Sequence, residues 1–288
     1  ESDVDTLPEE EDEFLPDPSQ TPSLSDPEAE DTGVGSGDVL GNTRGVTNYL
    51  LIGTDNRGGT NGRSDANLIL SVNTRTHTLR LVSLLRDLWV TIPGRGEGYH
   101  KLNAAYAYGG FNLLSLTLQQ NFRLKIDQYI AVDFNAFEKA VDALGGVDIE
   151  LSAAEAKHIG VGASAGSYHL NGPKALDYSR IRKLDSDFGR TERQRKVMSA
   201  LIGKVQGMNL ASLNSLLFAV LPHVKTNLTQ NELLGLAGQA LSYSDYTVEQ
   251  YVVPQKGEYQ NTYIGKGAGL WLTDRSRSVQ GLLDFLYT

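Results

Sequence analysis

Three short apolar runs lie close together in the chain: "NYLLIG" from Asn48, "ANLILSVN" from Ala66 and "RLVSLL" from Arg80. Runs of this length predict buried strands, and strands apolar on both faces must be covered on both faces. The residues that follow supply the cover. "FNLLSLTLQQNF" predicts a helix, "QYIAVD" a strand, "NAFEKAVDALGG" a helix closed by its glycines, and "VDIEL" another strand. That alternation predicts the α/β class, a central mixed β-sheet flanked by helices in α/β/α layers. Past the Gly-rich "GVGASAG", a helix is predicted from about Thr191 to Val205, then helices over "NLASLNSLLFAVL" and "TQNELLGLAGQALSYS". A strand over "YTVEQYVV" and a last helix N-capped by Thr273 complete the pattern.

The net charge of -9 hides an asymmetry, because residues 1–38 hold 14 of the 35 acidic residues, five of the nine prolines and no Lys or Arg. A segment so acidic and so poor in apolar periodicity cannot offset its ordering entropy, so residues 1–38 are expected to form a disordered acidic tether. From residue 39 onward 21 acids face 26 bases, a charge near +5. No fixed-period repeat and no proline-rich break after residue 45 interrupts the rest, and residues 39–288 are read as one domain. No stretch of eighteen apolar residues offers a membrane span. Glu1 in place of Met suggests that an upstream segment was removed. The lack of cysteine excludes disulfides and thiolate metal sites without fixing a compartment.

Cations crowd into "DYSRIRKLDSDFGRTERQR", residues 177–195, with Arg180, Arg182, Lys183, Arg190, Arg193 and Arg195 in one span. Like charges about 4 Å apart repel by ~1 kcal/mol in water and more near a protein surface, so a negative partner is expected. If "YSRIRK" is extended, Tyr178, Arg180 and Arg182 project together and Ile181 anchors the other side. In the helix that follows, Arg190, Gln194, Val197 and Leu201 share one stripe, polar at its N-terminal end. Guanidinium forks beside a helix N-terminus suit phosphate better than a lone carboxylate. An equally weighted alternative is a solvated face whose cations pair with Asp185, Asp187 and Glu192. Nucleic acid is not expected, since the cluster is short and has no interleaved aromatics.

"GTDNRGGTNGRSDANLILSV" places Asp55 just past one predicted strand and Asp65 just before the next, with Arg57 and Arg63 between them. Two carboxylates meeting at a sheet edge suit Mg²⁺ or Mn²⁺, although aspartates in Gly-rich loops are more often turn-formers. Arg86, after the third strand, adds a cation that packing does not explain. "GASAG" around Ser164 matches a nucleophile-elbow pattern, but Gly172 and Pro173 stand where that motif needs a helix. The scattered His77, His100, His158, His169 and His223 show no metal-ligand spacing.

In order, "LLIGTDNR", "GRSDANLILSVN", "VSLLRD", "KLNAAYAYGG", "VDALGGVDIEL", "HLNGPKALDYSRIRK" and "DFGRTERQRKVM" resemble the LytR-CpsA-Psr (LCP) family of cell-wall phosphotransferases over residues 46–206. The resemblance implies transfer of a glycopolymer, such as teichoic acid or capsular polysaccharide, from a polyprenyl-pyrophosphate carrier to a peptidoglycan sugar hydroxyl. It also implies a place on the extracytoplasmic face of the membrane and an N-terminal membrane helix ahead of Glu1. By the family's motifs Asp55 and Asp65 hold Mg²⁺ (or Mn²⁺), while Arg86, Arg180, Arg182, Arg190 and Gln194 grip the pyrophosphate and Arg63 assists. Asp65 or Asp87 is the candidate base. Leu85 and Ala66 depart from the family pattern, standing where a proline and a hydroxyl residue are common. The Leu-rich helices near 111–122 and 210–221 are candidates to frame a lipid slot, or are plain core. A polyprenyl-pyrophosphate hydrolase and a non-catalytic glycolipid-binding regulator remain as alternatives.

Overall fold

The structure, a computed structural model, describes residues 38–55, 62–182, 184, 187–265 and 267–288. The expected tether up to residue 37, Arg57, Lys183 and Asp185 lie outside the described residues. The chain runs through β1 (Val46–Thr54), β2 (Ser64–Asn73), β3 (Thr78–Leu84), β4 (Trp89–Thr91), β5 (Tyr99–Lys101) and α1 (Leu102–Phe122). It continues with β6 (Gln128–Val132), α2 (Phe134–Ala143), β7 (Val147–Leu151), α3 (Ala153–His158), β8 (Gly166–Leu170), α4 (Gly172–Ser179) and α5 (Asp187–Gln206). The remainder is α6 (Leu210–Val220), β9 (Val224–Thr226), α7 (Gln230–Ala240), β10 (Thr247–Val253), β11 (Tyr259–Ile264), β12 (Gly267–Leu272) and α8 (Arg275–Tyr287).

Six strands form one mixed sheet in the order β10-β3-β2-β1-β6-β9. β1 pairs antiparallel with β2 and parallel with β6, and β10 pairs parallel with β3. Alternation along the strands divides the core between the two faces. Leu50, Ile52, Ile69 and Val82 pack with Leu114, Leu118 and Phe122 of α1 and with Leu282 and Leu286 of α8. Tyr49, Val72 and Leu79 turn the other way, toward Leu217 of α6 and Leu233 and Leu236 of α7. A third cluster joins β7, β8, α3, α4 and α5 through Val147, Ile149, Leu170, Tyr178 and Val197. The expected α/β/α layering is therefore present.

Differences from the sequence reading are local and have local causes. α1 starts at Leu102, before the expected Phe111, and is broken at Gly109 and Gly110, where Gly110 takes φ 61°. Without a Cβ, glycine adopts that conformation at little cost, so two helical pieces meet there at a kink. α8 is capped by Asp274 rather than Thr273: the Asp274 side chain accepts the N–H of Arg277. "YSRIRK" is not extended at its start, because α4 runs through Ser179, with Asn171 as its cap and Pro173 in its first turn. Tyr178 is consequently buried in the core, while Arg180 and Arg182 beyond the helix end are exposed.

Candidate functional site

At the ends of β1 and β2 the sheet carries two adjoining chambers. The first is a cavity of about 250 Å³ between the sheet face and helices α2, α4 and α5. Leu51, Leu68, Ile130, Phe137, Leu176 and Met198 give it apolar walls, and Arg180, Arg182, Arg190 and Gln194 line it as well. The second is an open cleft of about 770 Å³ lined by Asp55, Arg63, Asp65, Arg86, Asp87, Lys101, Arg182 and Asp187 on one side. The other side of that cleft is the β11–β12 hairpin. Asp65 and Arg182 belong to both chambers and mark their junction.

Every one of the expected site residues lines one chamber or both. Asp55, exposed, follows β1, whereas Asp65 lies inside β2, one residue beyond the expected strand boundary. Arg86 Nη1 donates to Asp65 Oδ1 at 2.6 Å, and its Nε donates to Asp87 Oδ2 at 3.2 Å. Burial opposes the charge on Arg86, but Asp87, Asp65 and Asp187 outweigh it and raise its pKa. Arg182 Nη2 stands 3.9 Å from Asp65 Oδ2, and the Arg180 guanidinium lies 4.3 Å over the ring of Phe134.

Arg190 stands apart from the others. It is 3% exposed, and its Nη2 pairs with Asp187 Oδ1 at 2.9 Å. Its Nε and Nη1 are buried and meet no hydrogen-bond partner among the described residues. Burial first, then the charge of Arg86, lower its pKa. A buried donor left unmatched costs about 1–3 kcal/mol, more when charged, so this side chain is suited to receiving an anion.

The arginine-rich span divides by role. Arg193 is buried, donates from Nε to Glu155 Oε1 at 2.8 Å and from Nη1 to the Ile181 carbonyl at 3.1 Å. Glu155 in turn closes the capping box of α3 with Ser152. Arg193 thus braces the segment that carries Arg180 and Arg182. Arg195 donates from Nε to Gln250 Oε1 at 3.3 Å. Of the expected surface pairings, Asp187 takes the buried Arg190, and Glu192 takes Lys196, just outside the span.

Sequence reasoning missed Lys101, Asp187 as a cleft residue, and the hairpin wall. Lys101 Nζ lies 3.2 Å from Asp87 Oδ1 at the end of β5. It stood inside the quoted "KLNAAYAYGG", and its position at a strand end was the available signal. Asp87 and Asp187 share a hydrogen bond. Burial opposes ionisation of Asp87, but Asp187, Arg86 and Lys101 prevail and hold it at about 2. Burial and the bond to Asp87 push Asp187 upward. No cluster of three or more His, Cys, Asp or Glu with metal-binding geometry occurs among the described residues.

The departures at residues 85 and 66 have visible consequences. Leu85 is buried and its N–H donates to the Val253 carbonyl at 3.0 Å, a bond that a proline there has no hydrogen to make. Ala66 pairs with Gly53 across the sheet and lines the apolar cavity. The Leu-rich segments do not frame that cavity: Leu113, Leu114, Leu118 and Phe122 fill the core on the opposite face, and Leu213 and Leu217 pack within α6 and its neighbours. Ser164 lies exposed between α3 and β8, the reverse of strand-then-helix order, so no nucleophile elbow is built there. No helix among the described residues is long and apolar enough to cross a membrane.

A mixed six-stranded sheet between helical layers, with an arginine-lined cavity at its strand ends, defines a recognisable α/β class. The LytR_cpsA_psr family model matches residues 19–274, and the chain belongs to that family. It is 39% identical over 192 residues to polyisoprenyl-teichoic acid–peptidoglycan teichoic acid transferase TagU of Bacillus mycoides, covering 65% of this chain. That match spans 62% of the length of the Bacillus protein. Identity to regulatory protein MsrR of Staphylococcus aureus is 31% over 249 residues, covering 84% of this chain and 75% of that protein. Bacillus subtilis YwtF (TagT) with bound octaprenyl pyrophosphate lipid superposes with a TM-score of 0.67 at 26% identity. The superposition covers 85% of this chain and 92% of that one.

Proposed function

We propose that this protein transfers a glycopolymer from a polyprenyl-pyrophosphate carrier to a sugar hydroxyl of peptidoglycan, on the outer side of the bacterial membrane. The observation that carries the reading is Arg190: a buried guanidinium with unmatched donors, in a cavity that also has apolar walls. An anionic head joined to a hydrocarbon tail satisfies both halves of such a site at once. The relatives support the same reading, one named a teichoic acid transferase and one holding octaprenyl pyrophosphate.

In this reading the lipid chain enters among Leu68, Ile130, Phe137 and Met198, and the diphosphate rests between Arg180, Arg182, Arg190, Gln194 and Arg86. Arg86 exchanges part of its pairing with Asp65 for phosphate oxygen, and Arg63 approaches from the loop. The acceptor oxygen attacks the sugar-linked phosphorus, a P–O bond forms, and the bond to the lipid phosphate breaks. The departing lipid phosphate takes the electron pair, and the guanidinium groups neutralise it. The acceptor's proton passes to one of the carboxylates that line the cleft beside it, Asp65 or Asp87.

Asp55 and Asp65 line one cleft and offer the hard-oxygen set that suits Mg²⁺ or Mn²⁺, with phosphate and water completing the shell. Such an ion would polarise the phosphoryl oxygens and add positive charge opposite the arginines. Asp55→Ala is expected to weaken Mg²⁺ binding in calorimetry by about tenfold, consistent with loss of one ligand-shell carboxylate. Unchanged binding would remove Asp55 from the set.

The deciding experiment incubates labelled lipid-pyrophosphate donor with peptidoglycan. Arg182→Ala is expected to form about 10²-fold less conjugate, the usual loss when a donor to developing charge is removed. Transfer at the wild-type rate would overturn the assignment. Release of polymer phosphate at equal rate without acceptor would identify a hydrolase instead.

A further inference from the structure

The polar cleft holds more than a diphosphate. Its volume of about 770 Å³ is that of a site for a ligand of several rings. One wall is charged, as described above. The opposite wall, from β11 and β12, is of another chemistry: the strands read "YQNTYI" and "GAGLWL", without a charged side chain. Lys266, in the turn between them, lies outside the described residues.

Side chains alternate along β11, so Tyr259, Asn261 and Tyr263 share a face, and all three line the cleft. Tyr263 is 75% exposed. A single exposed aromatic is ordinary on a protein surface. Here it continues a face with an amide and a second tyrosine, opposite the cations of the site. Tyr259 also stacks on Phe188, ring centroids 4.8 Å apart, which ties the hairpin to the first turn of α5 beside Arg190.

The wall is firmly placed. Trp89 Nε1 donates to the Thr262 carbonyl at 3.1 Å, and the Leu270 N–H donates to the Asp87 carbonyl at 2.9 Å. Gly269 lets the hairpin come that close, since a Cβ there would lie 2.6 Å from Trp89 Nε1 and 2.7 Å from the Asp87 carbonyl oxygen. The segment bearing Arg86 and Asp87 and the uncharged wall are thus held at a fixed separation.

An aromatic face and a neighbouring carboxamide, with no charge among the described residues of the two strands, match one ligand chemistry. A pyranose ring offers a patch of C–H bonds to an aromatic face and adjacent hydroxyls to an amide that both donates and accepts. We infer that the cleft-facing side of β11, formed by Tyr259, Asn261 and Tyr263, is a saccharide subsite that seats an uncharged sugar ring beside the diphosphate. The inference rests on the transfer reading for its context and deepens it: sugar is held by β11 and phosphate by the arginines. The ring can belong to the acceptor glycan or to the donor polymer.

The test titrates the full chain with a β-1,4-linked N-acetylglucosamine tetrasaccharide, followed by NMR, and separately with farnesyl pyrophosphate, a lipid diphosphate without sugar. Tyr263→Ala, a substitution at an exposed site, and Asn261→Ala are each expected to weaken tetrasaccharide binding about three- to tenfold, the usual range for one aromatic or amide contact. Their affinity for farnesyl pyrophosphate should equal the wild type's. Arg182→Ala should show the reverse pattern. Equal tetrasaccharide affinity in wild type and both variants, or no tetrasaccharide binding by the wild type even with farnesyl pyrophosphate and Mg²⁺ present, would overturn the subsite. Failure of farnesyl pyrophosphate to bind the wild type would instead count against the lipid reading and leave the sugar titration standing. Saturation with a glycan-bearing lipid donor separates the sources. Continued tetrasaccharide binding assigns the subsite to the acceptor, and exclusion assigns it to the donor's sugar.

Discussion

The two chambers meet at Asp65 and Arg182 yet are built on different principles. The cavity is walled by side chains of β1, β2, β6, α2, α4 and α5 that would close on one another if the helices packed tightly on the sheet, and its cations sit on the helical side. The cleft has carboxylates and cations already paired with one another: Arg86 with Asp65 and Asp87, Lys101 with Asp87. One chamber therefore holds unsatisfied charge beside empty apolar space, and the other holds satisfied charge beside open solvent. Binding in the first adds interactions that are missing, whereas binding in the second must exchange those already present. The difference teaches where affinity and where turnover should reside.

The largest effect that can break this contrast is expected at Arg190. Arg190→Met keeps much of the side-chain volume but removes the unmatched donors, and transfer should fall by about 10²–10³-fold in the conjugate assay. A loss below threefold would show that the buried charge is already neutralised in solution. Next in size is Met198→Trp, which should fill the cavity. Displacing even two lipid methylenes, each worth about 0.8 kcal/mol, should weaken long-chain polyprenyl pyrophosphate by about tenfold and leave inorganic pyrophosphate unaffected. Parallel losses for both ligands would mean that the chambers are not separable.

The smallest expected effect sharpens the account of the cleft. Asp87 is held at about 2, below its ordinary 3.8, so it stabilises the folded protein above the ordinary value and loses that contribution as pH falls toward about 2. Asp187 is raised, so its contribution runs the other way, present at low pH and lost as pH rises through its shifted pKa. Asp87→Asn should flatten the acid limb of a urea-midpoint profile below pH 4. An unaltered limb would show that other carboxylates control acid unfolding.

Strands were legible because β1, β2 and β3 are buried runs bounded by turn residues, a pattern that depends on local sequence alone. The stripe of Arg190, Gln194, Val197 and Leu201 was legible for the same reason, helical spacing being fixed. What failed depended on competition between neighbours. Nothing in "YSRIRK" states that α4 would run on through Ser179, because that is decided by the Asn171 cap and by burial of Tyr178. The lipid slot was sought on Leu-rich helices, but its walls come from six elements that contribute a few residues each. Lys101 joins the site through the pairing of β4 with β5, and the hairpin wall through the bonds from Trp89 to the Thr262 carbonyl and from Leu270 to the Asp87 carbonyl.

β10 lies parallel to β3 at one edge of the sheet, and Val279, Leu282 and Leu286 of α8 are buried against α1. The stretch carrying every recognisable motif ends near residue 206, yet its scaffold is finished by chain that comes afterwards. A fragment trimmed to the motifs would leave the edge of β3 unprotected and a leucine-lined trough open to water, inviting self-association. Affinity handles and reporter fusions must therefore leave α8 in its seat against the core.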